Sequence, residues 1–238
     1  MHRDEPAAPQ ETPRRSIPLG RAAFLSTVAA GALGVAGLSA FGGVGRAVGS
    51  AGSAIPGLDA IAPGDGWRIY NVQDPMPTFD PAAYTLEIGG LVERPVRLSW
   101  QDVQALPHVD RVADFHCVTG WSVDHVHWRG IAPQTLLDLV RPQPTARFAT
   151  FRSLEQPYVD QLSLDQLLVP DVLLATGMDG RPLSRPHGAP LRLVVPRMYG
   201  YKSVKWVGRI DIAAQAAPGY WEQRGYDADA WVGGHAPA

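Results

Sequence analysis

The 238-residue sequence contains a single cysteine, Cys117, and this scarcity excludes two kinds of site. One cysteine cannot form an internal disulfide. It also cannot supply the roughly four nitrogen or sulfur ligands of a structural zinc site. The sequence lacks both a GxGxxG segment and a P-loop. It therefore shows neither of the Gly-rich phosphate-binding motifs found in nucleotide-binding domains.

Neither positive nor negative charge is in large excess. The formal net charge is −2 and charged residues make up 18% of the chain. No broad basic surface is expected, so nucleic acid is not an expected partner. The hydrophobic fraction of 45% is typical of a globular protein rather than a disordered one.

Residues 1–45 predict an export signal. The pair Arg14-Arg15 precedes residues 22–45, which carry no charge and consist mostly of Ala, Gly, Val and Leu. A basic region followed by an apolar run is typical of secretion, and the paired arginines indicate the twin-arginine route to the periplasm. A membrane anchor is the alternative, because about 20 apolar residues span a bilayer. The six glycines of the run make it a weak helix former, which favours the export signal.

Residues 46–66 predict a flexible linker of Gly, Ser, Ala and Pro, a composition with little to bury. Residues 67–238 predict one folded domain. Its short strands and short helices do not alternate regularly, which indicates an α+β fold rather than a Rossmann sheet. Period-two alternation and strand-forming residues predict strands at 68–72, 84–88, 96–98, 109–116, 146–152, 171–178, 191–195 and 204–212.

Local signals predict three short helices. Ser99 with Asp102, and Ser163 with Gln166, have the spacing of capping boxes. Pro133 stands at a plausible first helical position. Residues 118–128, rich in aromatic residues and histidine, are expected to form a loop that follows Cys117.

Cys117 lies at the end of the strand predicted at 109–116, and three interpretations of it are open. A lone cysteine is often a buried small hydrophobe. It could also act as a nucleophile with a histidine base, for which the candidates are His116, His125, His127 and His187. The favoured hypothesis is a thiolate that binds a transition metal, with the remaining ligands supplied by a cofactor.

A second group of candidate residues lies in the carboxyl half. The segment His187-Gly188-Ala189-Pro190-Leu191-Arg192 is followed by Tyr199-Gly200-Tyr201-Lys202-Ser203-Val204-Lys205. Glycine allows close approach of backbone to a ligand, and Arg with Lys is a common combination for binding phosphate. The alternative is a set of solvated cations on strand edges.

Together the two groups resemble the oxidoreductase molybdopterin-binding domain of the sulfite oxidase family. Residues 175–183 are similar to the segment that precedes the histidine in that family, and the resemblance extends from about Tyr70 to Ile212. The Cys-x-x-x-Trp-Ser spacing from Cys117 to Ser122 is similar to that of the bacterial periplasmic branch of methionine-sulfoxide reductase catalytic subunits. The arginine-bearing stretch that follows the cysteine in true sulfite oxidases is absent.

The resemblance implies an α+β fold of mixed sheets and a molybdenum–molybdopterin cofactor, one per chain. Cys117 is then the molybdenum ligand, with Asn71 close to the metal. The cofactor contacts that the resemblance implies are Tyr70, Asn71, His116, Cys117, Thr119, His187, Arg192, Gly200, Lys202, Ser203 and Lys205. Trp121 and Arg129 are further candidates for the pocket wall.

The implied activity is oxygen-atom transfer on a small-molecule or oxidised-residue substrate, in which the cofactor performs the redox chemistry. Sulfoxide reduction is favoured over sulfite oxidation. A separate electron-transfer partner is expected, either a membrane haem protein or a cytochrome, and the catalytic chain is expected to be monomeric. The alternative is a binding module without catalytic activity on the same fold.

Overall fold

The computed structural model describes residues 66–234. The predicted export signal, and the predicted linker apart from Gly66, lie outside the described residues. Among residues 66–234, no helix has the length and apolar composition needed to cross a bilayer.

Strands form most of the regular structure of this region. In chain order they are β1 (Thr85–Gly90), β2 (Val96–Ser99), β3 (Val109–His116), β4 (Ser122–Ile131), β5 (Phe148–Ser153), β6 (Val159–Ser163), β7 (Leu173–Met178), β8 (Arg181–Pro182), β9 (Arg192–Val194) and β10 (Val207–Ala213). The first sheet has the order β2-β1-β10-β5-β6, in which only the β1–β10 pair is parallel. The second sheet has the order β3-β4-β7-β8, with β9 also paired to β7, and is antiparallel throughout. The prediction of an α+β fold with mixed sheets is confirmed.

Three short helices begin where the local signals predict. Trp100–Ala105 and Leu164–Leu167 both have complete capping boxes, from Ser99 with Asp102 and from Ser163 with Gln166. The third helix, Pro133–Val140, has proline in its first turn and turns Leu136, Leu137 and Val140 into the core. Four 3-10 turns complete the regular elements of the described region: Arg185–His187, Gly200–Lys202, Glu222–Arg224 and Val232–Gly234.

Two predictions of local structure are wrong. The expected loop after Cys117 is mostly the strand β4, whose side chains alternate between exposed and buried and whose backbone pairs with both β3 and β7. Exposed His125 and His127 fill the outward positions, so the polar aromatic composition reflects one solvated face of a strand. Residues 68–72, expected to form a strand, pair with no other strand of the described region and instead line a cavity.

The buried side chains form two clusters. The larger cluster lies mainly against the first sheet and the helices, with Leu86, Phe151 and Ile210 among its members. The smaller cluster lies against the second sheet and includes Phe115 and Trp128. The second cluster therefore packs directly behind the strand end that carries Cys117.

Gly130 allows the close approach of β4 to β7. A Cβ atom at this position would lie 2.1 Å from the carbonyl oxygen of Leu174 and 2.6 Å from the Cα of Ala175. Both of these atoms belong to the backbone of the neighbouring strand, so neither can rotate away. The Gly130 position therefore requires glycine for the two strands to keep their spacing.

We expect Gly130→Ala to destabilise the domain by about 1–3 kcal/mol, the usual cost of forcing extra volume into a packed region. Chemical unfolding with a fluorescence readout would measure this change. Gly89→Ala is the matched control, because Gly89 lies in β1 and a Cβ there would have no atom within 4 Å. Equal unfolding midpoints for the two variants would contradict the prediction.

Candidate functional site

A cavity of about 340 Å³ lies where the end of β3 meets the segments around β9. Five parts of the chain form its wall. They are residues 67–72, parts of 115–121 and of 186–205, the pair Glu155 and Tyr158, and the C-terminal rings Tyr220, Trp221 and Tyr226. The cavity brings together nine of the residues predicted from the sequence: Tyr70, Asn71, Cys117, Thr119, His187, Arg192, Gly200, Ser203 and Lys205.

Cys117 occupies the tight connection between β3 and β4. Its backbone N–H donates to the carbonyl of Trp121 at 2.9 Å, and its own carbonyl accepts from Gly120 at 3.0 Å. The Cys117 Sγ lies 3.2 Å from the Thr119 hydroxyl, and the side chain is only half-buried. The hairpin thus holds the thiol at the cavity wall instead of sealing it in the core.

Arg192 is a buried cation of β9, with 3% of its surface exposed. Its guanidinium carbon lies 5.3 Å from the ring centroids of both Phe115 and Trp128. It donates to the carbonyls of His187 at 3.2 Å and Ser203 at 3.4 Å. Burial lowers the pKa of Arg192 to about 10. Among residues 66–234 no carboxylate forms an ion pair with it.

Lys205 is the second cation on the cavity wall. Its Nζ donates to the carbonyls of Tyr70 at 2.7 Å and Pro186 at 3.3 Å. Burial, together with the positive charge of Arg192, lowers the pKa of Lys205 to about 7, although Glu155 acts in the opposite direction. Like Arg192, it has no ion-pair partner in the described part of the chain.

Two glycines make room at these positions. A Cβ on Gly188, whose φ is +98°, would lie 2.9 Å from the Cβ of Lys205. A Cβ on Gly200 would lie 2.4 Å from the Phe115 ring. Both glycines therefore fix where the cation and the ring can stand, while the close approach of a ligand to their backbone stays a prediction.

The segment carrying Tyr70 and Asn71 is held against the cavity by Glu155. This carboxylate is 2% exposed and accepts from the backbone N–H of Val72 at 2.5 Å and of Gln73 at 3.1 Å. Tyr70 itself is 45% exposed, at the mouth of the cavity. Glu155 was missed by the sequence analysis, because an isolated glutamate in a turn gives no motif signal.

These features fit a molybdopterin in three respects. A half-buried thiol is available to bind a soft metal, and two cations, buried Arg192 and half-buried Lys205, lack an ion-pair carboxylate within the described region. The indole N–H of Trp121 is buried on the cavity wall and finds no acceptor among residues 66–234. Unpaired buried polar groups are costly, so a ligand that supplies an anion and an acceptor would satisfy all of them.

Two predicted contacts are not brought to the cavity. The Lys202 ammonium is 1% exposed and lies 2.5 Å from the carboxylates of both Asp160 and Glu222. Burial raises the pKa of Asp160 to about 7, even though the positive charge of Lys202 lowers it. His116 points to a separate open depression, where its Nδ1 lies 2.8 Å from the Ser122 hydroxyl.

The other candidates for the wall divide in the same way. Trp121 lines the cavity, but Arg129 is on the surface and pairs with Asp110 at 3.0 Å. The rings of Tyr158, Tyr201, Tyr220, Trp221 and Tyr226 belong to the wall, and all of these except Tyr158 stand in stretches of sequence with several aromatic residues.

We expect the cofactor-free chain to bind sulfate more weakly as pH rises through about 7. Sulfate keeps its charge across this range, and Arg192 remains protonated with its pKa of about 10. Lys205 loses its proton above its pKa of about 7. The affinity should then fall by up to about tenfold per pH unit, towards the value of the neutral-lysine form. Calorimetric titration at several pH values would measure the effect.

Lys205→Met is the control for this titration. It should bind sulfate weakly at every pH and show a flat profile, because Glu155 and Arg192 remain as the charged groups that face this position. A flat profile for the unmodified chain would contradict the assignment of Lys205 as the titrating cation.

Comparison with known proteins identifies the family of the chain. The family model described as oxidoreductase molybdopterin binding domain matches residues 73–221. The uncharacterized oxidoreductase YuiH of Bacillus subtilis is 37% identical over 148 residues, which are 62% of this chain and 74% of that protein. The protein-methionine-sulfoxide reductase catalytic subunit MsrP of Gluconobacter oxydans is also 37% identical, over 163 residues, which are 61% of this chain and 52% of MsrP.

Two further similarities are more distant. The putative protein-methionine-sulfoxide reductase subunit YedZ1 of Azospira oryzae is 32% identical over 168 residues, covering 71% of this chain and 62% of that protein. The crystal structure of the sulfane dehydrogenase SoxCD from Paracoccus pantotrophus has a TM-score of 0.57 at 23% identity, over 61% of this chain and 42% of that chain, which supports the fold alone. Because the family model spans more than half of the sequence, the chain belongs to the oxidoreductase molybdopterin-binding domain family.

Proposed function

We propose that the chain reduces sulfoxides by oxygen-atom transfer, using a molybdenum–molybdopterin cofactor held through Cys117. The observation that carries the proposal is the shared cavity, whose wall contains the only thiol of the chain together with buried Arg192 and half-buried Lys205. A thiolate suits the metal and the cations suit the phosphate of the pterin. One cofactor per chain follows from the single thiol.

The residues of the cavity would have separate roles in binding the cofactor. Cys117 would bind the metal, and the Thr119 hydroxyl would orient its sulfur. Arg192 and Lys205 would bind the phosphate, with Ser203 and the Gly200 backbone beside them. When bound, the cofactor would supply the two-electron redox chemistry and accept the oxygen atom.

The substrate class is proposed from the chemistry of the pocket and from its relatives. A sulfoxide has an apolar body and one polar oxygen, and the wall around Cys117 is aromatic, with Trp121 and Tyr70 in contact at 6.5 Å between ring centroids. One of the similar proteins, MsrP of Gluconobacter oxydans, is named as a protein-methionine-sulfoxide reductase catalytic subunit. The proposed reaction consumes a sulfoxide, two electrons and two protons, and produces a thioether and water.

The reaction needs a supply of two electrons, and residues 66–234 present one candidate redox site. We propose a membrane haem protein or a cytochrome as the electron donor. The name "catalytic subunit" carried by MsrP supports a second component. Export by the twin-arginine route, through residues 1–45, would deliver the folded, cofactor-loaded chain to the periplasm as a monomer.

A substrate screen tests the proposed activity. The chain, expressed with molybdate, is reduced by a dye and mixed with methionine sulfoxide, an N-oxide or sulfite. Reoxidation of the dye by the sulfoxide supports the proposal. Oxidation of sulfite in its place would assign the opposite direction of oxygen transfer, and a bound cofactor that never changes oxidation state would indicate a binding module.

We expect Cys117→Ser to lose at least about nine-tenths of its molybdenum and its sulfoxide reduction, because an alkoxide is a poorer ligand than a thiolate for this class of metal. Elemental analysis of the purified protein gives the metal content per chain. Val112→Ser is the matched control, since Val112 lies on β3 with 56% of its surface exposed and should retain molybdenum. Full metal content in Cys117→Ser would refute the role of the thiol.

A further inference from the structure

The ammonium of Lys202 joins three separate parts of the chain. Lys202 ends the 3-10 turn Gly200–Lys202, Asp160 lies in β6, and Glu222 begins the turn Glu222–Arg224 near the C-terminus. The Nζ of Lys202 lies 2.5 Å from an oxygen of each carboxylate, and all three side chains are at least nine-tenths buried. Removing one partner from a buried ion group is costly, because it leaves a buried charge without full compensation.

Glu222 belongs to residues 219–226, which we name the C-terminal arm. The arm contributes Tyr220, Trp221 and Tyr226 to the cavity wall. Its backbone is tied to β6 by one hydrogen bond, from the N–H of Tyr220 to the carbonyl of Val159 at 2.7 Å. The second carboxylate oxygen of Glu222 accepts from the N–H of Gly219 at 2.8 Å, so the same side chain also closes the turn of the arm.

The arm packs against cavity residues through its rings. Tyr220 stacks on Tyr158 with 5.5 Å between ring centroids, and Tyr226 meets Tyr201 edge-on at 5.3 Å. Tyr201 is the direct neighbour of Lys202 in the sequence. The ammonium of Lys202 therefore holds Glu222 of the arm next to the place where Tyr226 of the arm contacts Tyr201.

This arrangement differs from that of a phosphate contact. Two carboxylates already contact the Lys202 ammonium, whereas Lys205, three residues further along, has carbonyls as its acceptors. Lys202 is also absent from the wall of the cavity. Within one segment, one lysine faces the cavity and the other faces away from it.

We propose that Lys202 is a positioning residue which, with Asp160 and Glu222, fastens the C-terminal arm as a wall of the cavity and so slows the loss of the bound cofactor. The proposal rests on the proposed function for the identity of what the cavity holds. The attachment of the arm itself is independent of that identity.

Glu222→Gln in the full, cofactor-loaded chain is the variant that tests the proposal. It leaves the Lys202–Asp160 pair in place, and therefore avoids leaving two buried carboxylates facing each other as Lys202→Met would. Tryptic cleavage after Arg224, an exposed residue of the arm, reports on arm opening. Release of pterin on dilution, followed by its fluorescence, reports on cofactor retention. Glu93→Gln, at an exposed glutamate outside the cavity, is the control.

We expect Glu222→Gln to be cleaved after Arg224 about 10- to 100-fold faster than the unmodified chain, the factor that loss of one hydrogen bond to a charged group predicts for local opening. Pterin release should accelerate severalfold, and cleavage after Arg97 in β2 should not change. An unchanged rate of either Arg224 cleavage or pterin release would overturn the proposal. An equal rise at Arg224 and Arg97 would also overturn it, because that pattern indicates general destabilisation.

The two proposals fail in distinguishable ways. If the unmodified chain carries no pterin, the proposed function fails, while the Arg224 cleavage rates of the cofactor-free proteins still decide whether Glu222 fastens the arm. If pterin is present but Glu222→Gln loses it without faster cleavage after Arg224, the cofactor assignment stands and the role of the arm is refuted.

Discussion

The main constraint on this structure is that two cations, Arg192 and Lys205, are largely removed from water. Residues 66–234 provide no ion-pair partner for either of them. Arg192 lies between the rings of Phe115 and Trp128, and backbone carbonyls take its hydrogen bonds. Carbonyls and rings offset only part of the cost of removing a charge from water. Burial accordingly lowers the pKa values of Arg192 and Lys205, the direction expected for cations removed from water. Desolvated cations of this kind lower the stability of the fold and favour the binding of an anion. Functional sites commonly reduce stability in this way.

The topology of the second sheet explains how the thiol and the cations meet. β7 lies inside this sheet. It pairs with β4, and it also pairs with β8 and with β9. The β3–β4 hairpin carries Cys117 at its connection, and β9 begins with Arg192. Phe115 of β3 and Trp128 of β4 then meet the Arg192 guanidinium, so the ring packing of the smaller core cluster also sets the position of the cation.

The features that could be predicted from sequence are those decided within a few residues. Both capping boxes, the proline helix start and the strand that ends at His116 depend on local spacing, and the structure confirms each of them. β4 was not predicted, because His125 and His127 on its outward face gave it the composition of a loop. Residues 68–72 have the composition of a strand. Their backbone instead forms hydrogen bonds with the carboxylate of Glu155 and the ammonium of Lys205.

The two lysines of the Tyr199–Lys205 segment show why the site could be predicted only in part. Both stand near glycines and aromatic residues, and the sequence gives no reason to separate them. The distinction comes from Asp160 and Glu222, which are distant in the chain and which the fold places on one side of the 3-10 turn only. Charge then assigns the roles, because an ammonium already surrounded by carboxylates has little attraction left for a phosphate. The lysine whose acceptors are carbonyls retains that attraction, and it is the one that lines the same cavity as the thiol.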